Sequence, residues 1–244
     1  MNVIRAFFMC LGMFSALPCP WRPWDERARG LMTTCLPLVG AVIGGFWYAL
    51  SLLGRALLPD GLTAALIAAL PFLLTGFMHL DGFMDTSDAI LSWRPLEQRQ
   101  KILKDVHCGS VAVVAVVLLM IGMFAAAVDA RSSDLRALVL IPIVSRCMSA
   151  FCVTMIKPIG HSEYAQMERN LSTPLSAAVM LLLTALIGGL WIGRRGLICI
   201  ALTVLGYACA MFRSARALEG VSGDLAGHAL CIGELCGLIA LAVF

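Results

Sequence analysis

The chain is predicted to be all-α: a polytopic membrane helix bundle of about seven transmembrane helices with an N-terminal interfacial helix. Three observations carry this. Of its 244 residues 60% are hydrophobic and only 14% charged, against about 45–50% and about 25% in a soluble domain. The mean hydropathy is +0.90. Apolar runs near the roughly 20 residues that cross a bilayer as a helix recur along the whole length, leaving room for one integral membrane domain, 1–244, and no separate soluble one.

The elements follow in order. Residues 6–17 form an apolar amphipathic stretch behind Arg5, ending at Pro18-Cys19-Pro20. No small-x-small cleavage site follows, so it is expected to stay as an interfacial helix rather than to be removed as a signal peptide. Spans are expected at 31–54, 62–80, 110–128, 135–156, 175–193, 197–212 and 226–244, with ends marked by Pro59-Asp60, Asp129, Arg131, Lys157-Pro158, Pro174, Arg194-Arg195 and Arg213. Gly40-x-x-x-Gly44 and Gly189-x-x-x-Gly193 would let helix backbones approach closely. Pro95 can open a short helix ahead of 101–109. The ten cysteines include no CxxC pair, so they are expected to be small buried apolar residues, not disulfides or zinc ligands. The four histidines share no ligand spacing.

Loop charge sets the orientation. Of 18 lysines and arginines, twelve fall on the side holding the N-terminal region and the 81–109, 157–174 and 213–225 loops; five fall on the other, and Arg146 lies mid-span. The positive-inside rule puts the first side in the cytoplasm. The positives come in short clusters between apolar runs, so no nucleic-acid-binding face is expected. No internal repeat is visible, which leaves an inverted-repeat transporter without support.

The central feature is His79-Leu80-Asp81-Gly82-Phe83-Met84-Asp85-Thr86-Ser87-Asp88. If the second span continues as helix, the three aspartates share an arc of about 60°. Their repulsion, and the about 2.5–3.5 kcal/mol cost of an ionisable group deep in a bilayer, would be offset by a divalent cation. Mg²⁺ is typically held by one or two carboxylates with substrate phosphates. About twenty residues on, Lys104-Asp105 could add a fourth carboxylate and a point charge for phosphate. Arg146 and Glu234 lie mid-span. They could pair and lock two helices, or Arg146 could bind a substrate phosphate with Glu234 near the polar cavity. Asp224 adds an acid on the same side.

The sequence 79–88 resembles the HLDGxxDTxD signature of the cobalamin synthase (adenosylcobinamide-GDP ribazoletransferase) family. Leu103-Lys104-Asp105 with Gly109 is similar to its second block. Leu36-Pro37-Leu38-Val39-Gly40 with Gly44 is similar to its first span, Val144-Ser145-Arg146 to its SR span, and Gly223-Asp224, Gly227 and Gly233-Glu234 to its closing pattern. The blocks keep the family's order from end to end. Ala16, Val106 and Cys231 depart from it, standing where the family often has Arg, Ser and Glu.

The resemblance implies an enzyme, with 1–244 as a single membrane catalytic domain. It would transfer the adenosylcobinamide phosphoryl group from adenosylcobinamide-GDP to α-ribazole or its 5′-phosphate, with release of GMP and with Mg²⁺ as cofactor. Asp81, Asp85, Asp88 and Asp105 are then the expected metal ligands, and Asp88 and Asp85 the catalytic carboxylates, Asp88 as general base. His79, Lys104, Arg146, Asp224 and Glu234 are the expected substrate-binding residues, with Lys104 and Arg146 on the pyrophosphate. The expected partners are these small molecules and the lipid bilayer, in a bacterial cytoplasmic membrane with the site facing the cytoplasm; a homo-oligomer is left open. A CDP-alcohol-type phosphotransferase, whose full aspartate pattern is absent, and an ion-coupled transporter are the alternatives.

Overall fold

A computed structural model describes residues 2–19, 21, 23–160 and 172–244. Arg22, His161 and Arg169, used in the sequence reading, lie outside the described residues. Among the described residues the chain folds into eleven helices: α1 (Asn2–Phe14), α2 (Glu26–Arg29), α3 (Met32–Leu57), α4 (Asp60–Leu74), α5 (Met78–Leu91), α6 (Leu96–Ile102), α7 (Ser110–Ala130), α8 (Ala137–Met155), α9 (Ser172–Trp191), α10 (Arg194–Leu218) and α11 (Gly223–Val243). Six of them, α3 and α7 to α11, are long and apolar enough to cross a bilayer, and α4 with α5 makes a seventh if taken as one broken span.

The polar contacts of the connecting segments gather at two ends. At one, Arg55 donates to the Arg131 and Ser133 carbonyls at 3.2 Å, and Arg131 pairs with Asp60 at 2.9 Å. Arg136 lies over the Trp191 ring, 5.5 Å from its centroid. At the other, the Val221 N–H donates to the Lys157 carbonyl at 2.9 Å and the Ile159 N–H to the Val221 carbonyl at 3.0 Å. Gln100 Nε2 donates there to the Leu218 carbonyl. The long helices run between these two ends.

The second span departs from the expected single helix. Hydropathy runs unbroken through 62–80, but the chain turns by 89° between α4 and α5. Gly76 and Phe77 both take left-handed backbone angles, φ +62° and +63°. Glycine adopts these freely, whereas a bulky residue pays strain of about 1–3 kcal/mol. The Thr75 hydroxyl donates to the Pro71 carbonyl at 2.7 Å, closing α4 from within. The aspartates therefore stand on a separate helix laid across the bundle end.

Gly40 and Gly44 act as expected. A Cβ on either would lie 2.5 Å from a carbonyl of α8, that of Pro142 or Val139. Gly189 and Gly193 do not form such a pair. Gly193 has φ +77° and nothing within 4 Å, and the close approach is instead Gly196 against the Gly188 carbonyl. The 13 residues of α1 span about 20 Å, too short to cross. The helix is tied to the bundle by buried Ala6, Met9 and Cys10 and by an Arg5–Asp25 ion pair at 2.8 Å. Six of the ten cysteines are buried; Cys108 and Cys209 are exposed.

Candidate active site

The site is assembled where α5 crosses α11, and the crossing depends on two small residues. A Cβ on Gly82 would lie 2.8 Å from the Asp224 Cα, and one on Gly227 3.2 Å from the His79 carbonyl. The glycines of the two sequence blocks thus let the backbones touch, which sets Asp224 beside the aspartate face of α5. Asp85 faces the charges of Asp81, Asp224 and Asp88. None of the four forms an ion pair among the described residues. Asp224 accepts a 3.3 Å hydrogen bond from Ser222, the N-cap of α11.

The second block joins this cluster through its glycine rather than through Asp105. The Asp88 carboxylate lies against Gly109, where a side chain would collide with it. Gly109 is the N-cap of α7, and a helix N-terminus favours an anion. Asp105 instead accepts from the His107 N–H at 3.0 Å and shares a 2.7 Å hydrogen bond with His107 Nδ1. The His107 side chain, and then its backbone N–H, hold the exposed Asp105 carboxyl below the usual range. Pro95 caps α6 and returns the chain toward the bundle, as expected.

Beside the crossing lies a cavity of about 410 Å³, lined among others by Phe14, His79, Lys104, Arg146, Asp224 and Leu230. Four of the five expected substrate-binding residues therefore share one space. Asp224 belongs both to this lining and to the carboxylate cluster.

Arg146 is 2% exposed. Its Nη1 donates to Glu234 Oε1 and, at 3.0 Å, to Ser145 Oγ. Ser145 donates in turn to the same Glu234 oxygen at 3.1 Å. Glu234 thus sits behind Arg146 and is not among the cavity-lining residues. Among the described residues Arg146 Nη2 is buried with no partner, and so is His79 Nε2. Buried polar groups are rarely left unpaired, so two such groups on residues lining one cavity mark a place for a polar ligand. Arg146 Nη2 is a donor, and His79 Nε2 is one when it carries the ring proton. The His79 ring stacks on Phe14, 6.5 Å between centroids and 13° between planes.

Several contributors escaped the sequence reading. Ser222 was legible as a cap ahead of Gly223-Asp224, since a Ser N-cap before a helix is a common start signal. Ser149, which lines the cavity one turn from Ser145, and Phe14, on the N-terminal helix, carried no signal that tied them to the site. Cys231, one of the departures from the family pattern, is buried and donates weakly to the His79 carbonyl at 3.4 Å.

The carboxylate set suits a hard cation by chemistry, since it offers only oxygen donors and carries uncompensated negative charge. Among the described residues no three Asp, Glu, His or Cys side chains converge as a ready cage. A Mg²⁺ ion that keeps waters and binds one or two carboxylates together with substrate phosphates would need no such cage.

The family model described as cobalamin-5-phosphate synthase matches residues 6–242. The chain belongs to this family. Its curated relatives include an adenosylcobinamide-GDP ribazoletransferase of Clostridium perfringens (strain 13 / Type A), 36% identical with 98% of both chains covered. Another, of Clostridium botulinum (strain Alaska E43 / Type E3), is 31% identical over 100% of this chain and 99% of its own. A third, of Stutzerimonas stutzeri (strain A1501), is 34% identical over 93% and 91%. No solved structure matches the chain. In this cobalamin-5-phosphate synthase family member, the blocks around Gly82 and Gly227 are the two sides of one helix crossing.

Proposed function

We propose that the chain is an adenosylcobinamide-GDP ribazoletransferase of vitamin B12 biosynthesis. It transfers the adenosylcobinamide phosphoryl group to α-ribazole or its 5′-phosphate, releases GMP, and yields adenosylcobalamin or its 5′-phosphate. Beyond the full-length family match, the observation that carries this is the meeting of two features at Asp224. One is a cluster of carboxylates with no ion pair among the described residues. The other is a cavity lined by Lys104 and by Arg146 and His79, each of the last two with a nitrogen that has no partner there. Phosphoryl transfer needs positioning and charge neutralisation more than covalent chemistry from the protein.

One or two of Asp81, Asp85, Asp88 and Asp224 would hold Mg²⁺ together with the donor's diphosphate. Bound there, the ion neutralises the charge on the phosphoryl oxygens. Asp105 stands outside this set, and it joins the metal only by giving up His107 for it. Lys104 at the rim and Arg146 at the floor are the cations offered to phosphate. Asp88 takes the proton of the attacking ribose hydroxyl as its oxygen bonds to phosphorus and the bond to GMP breaks. The lysine- and arginine-rich side of the bundle carries the site, which supports a cytoplasmic-membrane enzyme with its active site facing the cytoplasm.

The test is to supply the protein in proteoliposomes with adenosylcobinamide-GDP alone, α-ribazole alone, and both. GMP and cobalamin appear only with both. Release of CMP from CDP-diacylglycerol, with no GMP from the corrinoid donor, would contradict the reading.

A further inference from the structure

We propose that the cavity beside α5 is the acceptor pocket, built for a nucleoside 5′-phosphate: the phosphate sits on Arg146 Nη2 and His79 Nε2, and the aromatic base lies against Phe14 and its apolar neighbours. This rests on the ribazoletransferase reading and divides its two substrates between two places.

Size decides first. About 410 Å³ is at the small end of ligand pockets, which run from about 300 to 1,000 Å³. It takes a nucleotide-sized molecule and not a corrinoid. Connectivity decides next. In the donor the diphosphate lies between a corrinoid and a guanosine, so neither phosphate is a free end that can reach a floor formed by a residue 2% exposed. A 5′-phosphate on the acceptor is a free end, carrying about −1.5 to −2 charge at pH 7.

The floor is also held for this task. Glu234 and Ser145 occupy Nη1 of Arg146 and leave Nη2 without a partner among the described residues. The Phe14 stack orients the His79 ring. Glu234 offsets the charge of Arg146, and Lys104, a cavity-lining residue with no ion pair among the described residues, adds a second cation to the pocket that Asp224 also lines. Met13, Leu36, Met78 and Leu230 give the walls an apolar surface suited to a heterocyclic base. With phosphate at the floor, the ribose lies toward Asp224, the residue the pocket shares with the carboxylate cluster.

The experiment measures binding of α-ribazole and of α-ribazole 5′-phosphate to the full chain in nanodiscs, without donor. The wild type is expected to prefer the phosphorylated ligand by about tenfold or more. His79→Ala and Arg146→Lys should each cut that preference to about threefold or less, with the affinity for α-ribazole itself nearly unchanged. Arg146→Lys keeps a cation opposite Glu234, so it guards against loss of fold. Phe14→Ala should weaken both ligands. The proposal is overturned by a wild type without preference, by a preference that survives in both variants, or by equal loss of both ligands in folded variants. GMP release by the wild type with unphosphorylated α-ribazole is scored separately. Turnover without phosphate preference overturns the pocket alone, whereas no turnover with either acceptor overturns the activity on which it rests.

Discussion

Arg146 of α8 and Glu234 of α11 form an ion pair with side chains 2% and 3% exposed, and that pair fixes the one guanidinium that lines the cavity among the described residues. Breaking a buried pair from one side leaves the other charge unpaired, at a cost of about 3–5 kcal/mol, whereas replacing both with apolar residues is often neutral. Glu234→Ala is therefore expected to lower stability by about that amount in thermal unfolding in detergent. The double change Arg146→Met with Glu234→Leu should regain most of it and still show impaired GMP release with α-ribazole 5′-phosphate as acceptor, because the cation offered to that phosphate is gone.

The α5–α11 crossing gives a steric prediction. Gly82→Ala places a Cβ 2.8 Å from the Asp224 Cα, and overpacking of this kind costs about 1–3 kcal/mol. Because the shift also moves Asp81 and Asp85 relative to Asp224, GMP release should fall further than stability does. Gly45→Ala, where nothing lies within 4 Å, is the control and should be neutral or stabilising by up to about 1 kcal/mol.

Gly109→Ala tests the link between the second block and the cluster. The added methyl would meet the Asp88 carboxylate, displacing it from the start of α7. Turnover should drop by about tenfold or more, near 1.4 kcal/mol in the barrier, while the thermal midpoint changes little. Wild-type turnover in this variant would show that the position of Asp88 is immaterial.

The exposed contact between Asp105 and His107 gives a pH prediction. The Asp105 carboxyl is held below its ordinary value by His107, against about 3.9 in an unstructured chain. A depressed carboxyl stabilises the fold above the unfolded pKa, and that contribution is lost as pH falls through the folded one. Carboxyl NMR should show Asp105 titrating below about 3.9 in the wild type, and His107→Ala should return it upward.

Much of this was legible in the sequence because the bilayer imposes simple demands on composition. Apolar runs ended by charge located α3 and α7 to α11, and the loop charges sorted the two ends. The break at Gly76-Phe77 was not legible, since hydropathy measures burial in lipid and is blind to a turn between two apolar helices. Helical spacing put Asp81, Asp85 and Asp88 on one face, but only the crossing at Gly82 and Gly227 brings in Asp224. Arg146 and Glu234 stood out as charges in apolar spans. That one arginine nitrogen pairs while the other faces a cavity depends on packing across three helices, which no local pattern encodes.

The most direct test of the central claim is a Mg²⁺ titration of GMP release from adenosylcobinamide-GDP and α-ribazole, comparing wild type with Asp85→Asn in the same proteoliposomes. The account predicts no release without the ion, one GMP per cobalamin formed in its presence, and loss of turnover in Asp85→Asn at every Mg²⁺ concentration. Equal release by the two proteins, or release by the wild type that is indifferent to chelation, would contradict it.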